Sequence, residues 1–306
     1  MNIIRYTNSP ARGVVATIGY FDGVHNGHRY LLSQVVDFAK HHNLCSAAIT
    51  FPVHPRKILN EYYQPETLTS FDHKINLLGT TGIDMSIVLE FTPTVAGYTA
   101  REFIHNLAAY YRVRTLFMGY DHRFGSDLIE DVREYQTIAR EVGMQIIRTD
   151  AYKINGQQIS SSHIRRLLLA GEIDAATSAL GRYYELNGEV IHGHGFGKEL
   201  GFPTANIQID SSDRLLPRIG VYAVYVHVDG ERYGGMADIG VRPTMHDAGG
   251  LSVEVHLFDY NGDLYGKNIR MEIVSFMRPE KRMSGREELS KQLAEDKIHA
   301  KQLLKC

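Results

Sequence analysis

The sequence predicts an α/β half built on a doubly wound parallel sheet, followed by an antiparallel β half that ends in a helix. Three observations carry this reading. Short β-branched apolar runs alternate with amphipathic stretches as far as about residue 150. From about residue 183 they give way to period-2 runs separated by tight turns. The stretch 284–304 then returns to helical composition.

VVATI (14–18) is a short β-branched run, as expected of a buried strand. HRYLLSQVVDFAKHH (28–42) sets Leu31, Leu32, Val35, Val36 and Ala39 on one helical face. CSAAITF (45–51), DMSIVLEF (84–91), VRTLFMGY (113–120) and MQIIRT (144–149) read as further strands. TAREFIHNLAAYY (99–111) and IEDVREYQTIAREVG (129–143) read as helices between them. Strands and helices alternating in this way build a parallel sheet, whose ligands bind at the carboxyl ends of the strands. GVYAVYVHVDG (220–230), LSVEVHLFDYNG (251–262) and NIRMEIVSF (268–276) alternate with period 2, with turns at VDGE and YNGD, and read as a barrel or a sandwich. Ser284 and Glu287 have capping-box spacing at the start of the closing helix. The change of texture at 181–186 gives two domains, 1–182 and 183–306.

Bulk composition excludes several classes. A chain of 306 residues buries about 75% of its unfolded surface and needs no staples. Its net charge of -2 offers no electrostatic footprint for nucleic acid or a membrane surface. Cys45 and Cys306 form no spaced motif, which suits a reducing cytoplasm. MNIIRYTNSPARG has no apolar signal region, and no apolar run approaches 18 residues.

Two constellations carry chemistry. In GYFDGVHNGH (19–28), Gly19, Gly23 and Gly27 let the backbone approach a ligand, and a helix start offers N–H groups to an anion. His25 and His28, three residues apart, suit a transition state that gathers charge on phosphate. A glycine-rich turn with solvated histidines has the same letters. MGYDHRFG (118–125) places Gly119, Asp121 and Gly125 after another strand, and ISSSHIRRLL (159–168) sets hydroxyls before a helix with Arg165 and Arg166. Hydroxyls, amides and a guanidinium make an anion site, or else a simple N-cap. In the second half, HGHGFGKELGFPTANI (192–207) offers a flexible loop at Gly193, Gly195 and Gly197 that is not a P-loop. Thr204 and Asn206 alternate with Ala205, so an extended strand turns both oxygen donors to one side, as Mg2+ shared with phosphates requires. Glu254, on the opposite face from Val253 and Val255, is either a solvated strand residue or a general base.

G-x-F-D-G-V-H-x-G-H, G-x-D-x-x-F-G and I-S-S-S-x-I-R, in this order, resemble the adenylyltransferase half of bacterial bifunctional riboflavin kinase/FAD synthetases. GKELGFPTANI, GVYAV, IGVRPT, VEVHLFDYNGDLYG and FMRPEKRMSGREEL resemble the riboflavin kinase half of the same family. The resemblance implies a Rossmann-like nucleotidyltransferase domain followed by a small antiparallel β-barrel with a terminal helix. It implies that riboflavin is phosphorylated to FMN, and that FMN phosphate then attacks the α-phosphate of ATP to give FAD and pyrophosphate. His25 and His28 would stabilise phosphate charge. Gly19, Asp22, Gly27 and Asp121 would lie on the ATP side, with Ser161, Ser162 and Arg165 on the pyrophosphate. His54, in TFPVHPRKIL (50–59), would shape the flavin pocket. Glu254 would deprotonate the riboflavin 5′-hydroxyl, Thr204 and Asn206 would hold Mg2+, and Arg278 would lie near the flavin. Two positions depart from the family's usual pattern: Lys198 stands where arginine is common, and the acidic run from Ser126 to Asp131 replaces an arginine-rich segment. The implied partners are riboflavin, FMN and ATP, with no nucleic acid or membrane.

Overall fold

The computed structural model describes residues 2–4, 12–60, 62, 64–120, 122–192, 200–241, 251–281 and 283–306. It divides into two compact units, Met1–Ser161 and Ser162–Cys306.

In the first unit, strands β1 (Asn2–Ile4), β2 (Val14–Ile18), β3 (Cys45–Thr50), β4 (Met85–Val88), β5 (Val113–Met118) and β6 (Gln145–Arg148) form one sheet in the order β1-β4-β3-β2-β5-β6. All five pairings are parallel. Helices α1 (Asn26–His41), α2 (Pro55–Leu59), α3 (Phe71–Gly79), α4 (Pro93–Gly97), α5 (Ala100–Tyr111) and α6 (Val132–Glu141) make the connections. All five residues of β2 are buried, which is why it reads as a continuous apolar run rather than an alternating one. α1 buries Leu32, Val35, Val36 and Ala39, the stripe its spacing predicts. α5 opens on a complete capping box between Thr99 and Glu102. From β2 the chain runs outward through β3 and β4, then returns to lay β5 on the other side of β2. β2 and β5 therefore flank the topological switch point, and the loops after Ile18 and Met118 leave its carboxyl edge side by side. The small hairpin β7 (Lys153–Ile154) and β8 (Gln157–Gln158) completes this unit.

Helix α7 (Ser161–Ala170) begins at the last residue of the first unit and runs into the second. α8 (Ile173–Leu180) packs on β9 (Tyr184–Ile191) and β14 (Asn268–Arg278). With β10 (Ala205–Ile209), β11 (Gly220–Val228), β12 (Glu231–Val241) and β13 (Leu251–Leu257) these strands close a barrel in the order β10-β13-β12-β11-β14-β9. Its pairings are antiparallel throughout. Of the two antiparallel architectures the period-2 pattern allows, the chain adopts the barrel. The β11–β12 hairpin turns at Asp229 (φ 54) and Gly230 (φ 85), the positive-φ pair that a two-residue type I′ turn demands. Val253 and Val255 are buried at 1% exposure each while Glu254 is only half-buried, the alternation expected of LSVEVHL.

Helix α9 (Arg286–Leu304) covers one outer face, packing Ala300 and Leu304 with Ala223, Met236 and Phe258. Its start corrects the capping-box expectation by one residue. The N-cap is Gly285, with no side-chain cap, and Ser284 donates from its amide at 2.8 Å and its hydroxyl at 2.6 Å to Glu288, not Glu287. The glutamate on the third helical residue is the one that reaches back, so the box shifts with the helix start.

Candidate active sites

Opening from the switch point, Phe21 (φ 55), Gly23 (φ 79) and Val24 (φ 37) form a tight left-handed turn ahead of α1. Asp22 is buried, and its carboxylate accepts from the Leu68 amide at 2.9 and 3.0 Å and from the Thr69 amide at 3.1 Å. Gly23 N donates to Thr69 Oγ1 at 3.1 Å. Asp22 thus ties the turn to segment 67–69, a structural duty in the place where the sequence suggests phosphate contact. His25 is the N-cap of α1: its Nδ1 accepts from the His28 amide at 3.3 Å. An accepting Nδ1 leaves Nε2 to carry the proton. The His25 and His28 rings stack with centroids 3.6 Å apart, and Phe21 meets His28 edge-on at 5.2 Å. A Cβ at Gly27 would lie 3.2 Å from both the His25 ring and Ile159 O, a tight fit beside the cap. Ser161 Oγ donates to Asp22 O at 2.9 Å, so the third motif meets the first. Ser162 and Arg165 follow on α7, within the second unit. Asp121 lies outside the described residues. Gly119 directly follows β5, and Gly125 adopts φ 96. His54 caps α2, accepting from Arg56 N at 3.1 Å, and its ring meets Tyr20 at 4.7 Å.

The acidic run after Gly125 serves neighbouring helices. Asp127 Oδ1 accepts from Ala100 N at 2.9 Å, at the start of α5, and Asp131 caps α6 through Arg133 N at 2.9 Å. Carboxylates at helix N-termini complement the dipole.

Sequence reasoning missed Lys74. Its side chain is 1% exposed, donates from Nζ to Phe51 O at 2.8 Å, and sits 3.8 Å from the Tyr20 ring centroid. It bridges the loops that follow β2 and β3. A lone lysine in α3 gives no sequence signal. Burial pushes its pKa down to about 7, against the raising influence of Asp22. Between pH 7 and 10.5 the unfolded chain keeps a proton that the folded chain has released, so stability rises with pH in that window. Urea unfolding of Lys74→Met should lack this rise, a difference on the order of a few kcal/mol across the window. Parallel pH curves for the two proteins would contradict it.

In the second unit, Asn206 on β10 pairs in register with Glu254 on β13, and Thr204 Oγ1 donates to Glu254 Oε2 at 3.1 Å. Hydroxyl, amide and carboxylate meet on one outer face of the barrel. Gly193, Gly195, Gly197 and Lys198 lie outside the described residues. His256, two residues beyond Glu254, hydrogen-bonds through Nδ1 to Pro203 O at 2.9 Å and so fixes the approach to Thr204. Burial lowers its pKa and favours the neutral ring. Arg278 forks onto Asp296 of α9 at 2.6 to 3.1 Å and donates to Pro279 O at 3.1 Å. Among the described residues, no group of three His, Cys, Asp or Glu side chains is placed to hold a metal ion. One hydroxyl and one amide beside a carboxylate fit Mg2+ that takes its other ligands from phosphates and water. No helix among the described residues is long and apolar enough to cross a membrane.

Comparison with known proteins matches a FAD synthetase family model to residues 7–163 and a riboflavin kinase family model to residues 180–304. A bifunctional riboflavin kinase/FMN adenylyltransferase of Listeria monocytogenes is 35% identical over 92% of this chain and 90% of its own. The protein of that name from Escherichia coli K12 is 35% identical over 97% of this chain and 94% of its own. A crystal structure from Streptococcus pneumoniae, named a macrolide-efflux protein, superposes with a TM-score of 0.88 at 27% identity, covering 96% of this chain and 95% of the other.

Proposed function

The chain belongs to the bifunctional riboflavin kinase/FMN adenylyltransferase family, and from that premise we propose how its residues divide the two reactions. The half 183–306 phosphorylates riboflavin to FMN, and the half 1–182 adenylates FMN to FAD; Ser162 and Arg165 go with the latter because they share a helix with Ser161. The observation that carries the kinase assignment is the meeting of Thr204, just before β10, and Asn206 on β10 with Glu254 on the adjacent strand β13.

In the kinase reaction Glu254 accepts the proton of the riboflavin 5′-hydroxyl as its oxygen bonds to the γ-phosphorus of ATP. The bond from that phosphorus to the bridging oxygen breaks, and ADP leaves. Thr204 and Asn206 supply oxygen donors on the phosphate side, and Thr204 also holds the Glu254 carboxylate in one rotamer. Mg2+, when bound there, neutralises phosphate charge. By its composition the stretch with Gly193, Gly195 and Gly197 goes with the nucleotide, and Arg278 supports the flavin side from its fork on Asp296.

In the adenylation a phosphate oxygen of FMN bonds to the α-phosphorus of ATP, and pyrophosphate departs with the bridging oxygen. His25 and His28 donate to the charge that builds on the phosphates. Gly19 and Gly27 let the nucleotide approach the backbone, and Asp22 keeps the turn in shape. By their motifs, Asp121 goes with ATP, His54 with the flavin, and Ser161, Ser162 and Arg165 with the pyrophosphate. The test is direct: with riboflavin, ATP and Mg2+, chromatography should show FMN first and FAD after it. No product above a protein-free control would overturn the reading.

A further inference from the structure

A lysine held almost wholly out of solvent needs partners, since an ammonium buried without them is costly. Lys74, on α3, finds them in two loops at the carboxyl edge of the parallel sheet. Its Nζ donates at 2.8 Å to the carbonyl of Phe51, the residue that directly follows β3. It stands 3.8 Å from the centroid of the Tyr20 ring, in the loop that follows β2. Tyr20 in turn meets the His54 ring, with centroids 4.7 Å apart. His54 lies three residues beyond Phe51 and caps α2. Lys74 therefore reaches His54 by two routes, along the backbone from Phe51 and through the ring of Tyr20. Thr50 Oγ1 donates to Tyr20 O at 3.2 Å and joins the same two loops from the strand side. Asp22, fixed by the Leu68 and Thr69 amides just ahead of α3, supplies a negative charge that favours the ammonium. All of these groups belong to the first unit. At 1% exposure Lys74 is shielded from any ligand, so it can act on one only through the loops it holds.

We propose that Lys74 is a positioning residue that shapes the FMN side of the adenylation site by holding Tyr20 and the segment from Phe51 to His54 in one arrangement. The inference rests on His54 lying on the flavin side. A side chain already held in place adds no ordering cost when a ligand binds, whereas a loose one weakens binding by about three- to tenfold. The arrangement exists before FMN arrives. It therefore acts on the binding of FMN and not on the attack at the α-phosphorus, which belongs to His25 and His28. Either protonation state of the amine keeps an N–H for Phe51 O, so that tie holds through neutral pH.

The test is the rate of FAD formation by the full chain from varied FMN at saturating ATP and Mg2+. Lys74→Met fills the site with an unbranched side chain that neither donates nor carries charge. It should raise the KM for FMN about three- to tenfold and leave kcat, the KM for ATP and riboflavin phosphorylation unchanged. A fall in kcat, or an unchanged KM for FMN, overturns the proposal. Tyr20→Leu leaves the buried amine in place and breaks the route through the ring. It should raise the same KM, and an unchanged value there overturns the proposal without recourse to a Lys74 variant. His54→Asn keeps a side-chain acceptor for the α2 cap and removes the ring. Because Lys74 acts through His54, the double variant Lys74→Met/His54→Asn should have the KM of His54→Asn alone, and effects that multiply would overturn the proposal. A KM for FMN that His54→Asn leaves unchanged refutes the flavin assignment of His54 itself, so the two failures are distinguishable.

Discussion

Glu254→Gln should stop the conversion of riboflavin to FMN and leave the conversion of supplied FMN to FAD intact. The amide keeps the size of the side chain and an oxygen to accept from Thr204 Oγ1, now 3.1 Å from Glu254, so the strand pairing of Asn206 and Glu254 has no reason to shift. What it loses is the ability to take a proton. General bases contribute about 10²- to 10⁴-fold, so a fall of that size in kcat with little change in KM for riboflavin is the expected signature. A matching fall in FAD formation would mean that the substitution had damaged the whole chain.

His28→Ala should do the opposite. The His28 ring stacks on His25 at 3.6 Å and meets Phe21 edge-on, while its amide caps through His25. Alanine preserves the amide and therefore the cap. It removes one phosphate donor and the ring that fixes the other. Loss of one such donor costs about 10²- to 10³-fold in kcat, and loss of the stacked support adds to that. FMN formed from riboflavin should accumulate without becoming FAD. Continued FAD synthesis at the original rate would exclude His28 from the adenylation site.

β2, β3 and β4 were legible as apolar runs because they are buried on both faces, and β11, β13 and β14 because their apolar residues recur at every second position, whereas β1 and β9 do not read as strands. β12 was harder to read: Gly234, Gly235 and Gly240 interrupt its alternation. Its bare positions have local partners, since a Cβ at Gly240 would overlap Glu280 and one at Gly235 would lie 2.8 Å from His256 O. The motif histidines and the Thr204–Asn206–Glu254 set stood out because each joins a local pattern to a strand end or strand face. Asp22 illustrates the limit. It sits inside the motif, yet its partners Leu68 and Thr69 lie more than forty residues away, and only the fold reveals that its carboxylate holds a loop. Lys74 was invisible for the same reason, since its importance comes from what is packed against it. The acidic run at 126–131 stood out in composition, and the structure gives Asp127 and Asp131 a purpose at two helix starts.

The Asp229–Gly230 turn has a consequence in time. It brings Val228 against Glu231 across two residues, and β13 can add to that ribbon in sequence. The sheet of the first unit has no such hairpin: its parallel pairings join Val14 to Cys45, about thirty residues away, and to Val113, about a hundred residues away. Closing a loop of that length costs chain entropy before any contact rewards it, and parallel pairings of this kind form slowly. After dilution from denaturant, the barrel unit should mature ahead of the parallel-sheet unit. Activity itself can report the order: FMN formation should return before FAD formation, and simultaneous recovery of both would show that the two units do not fold independently.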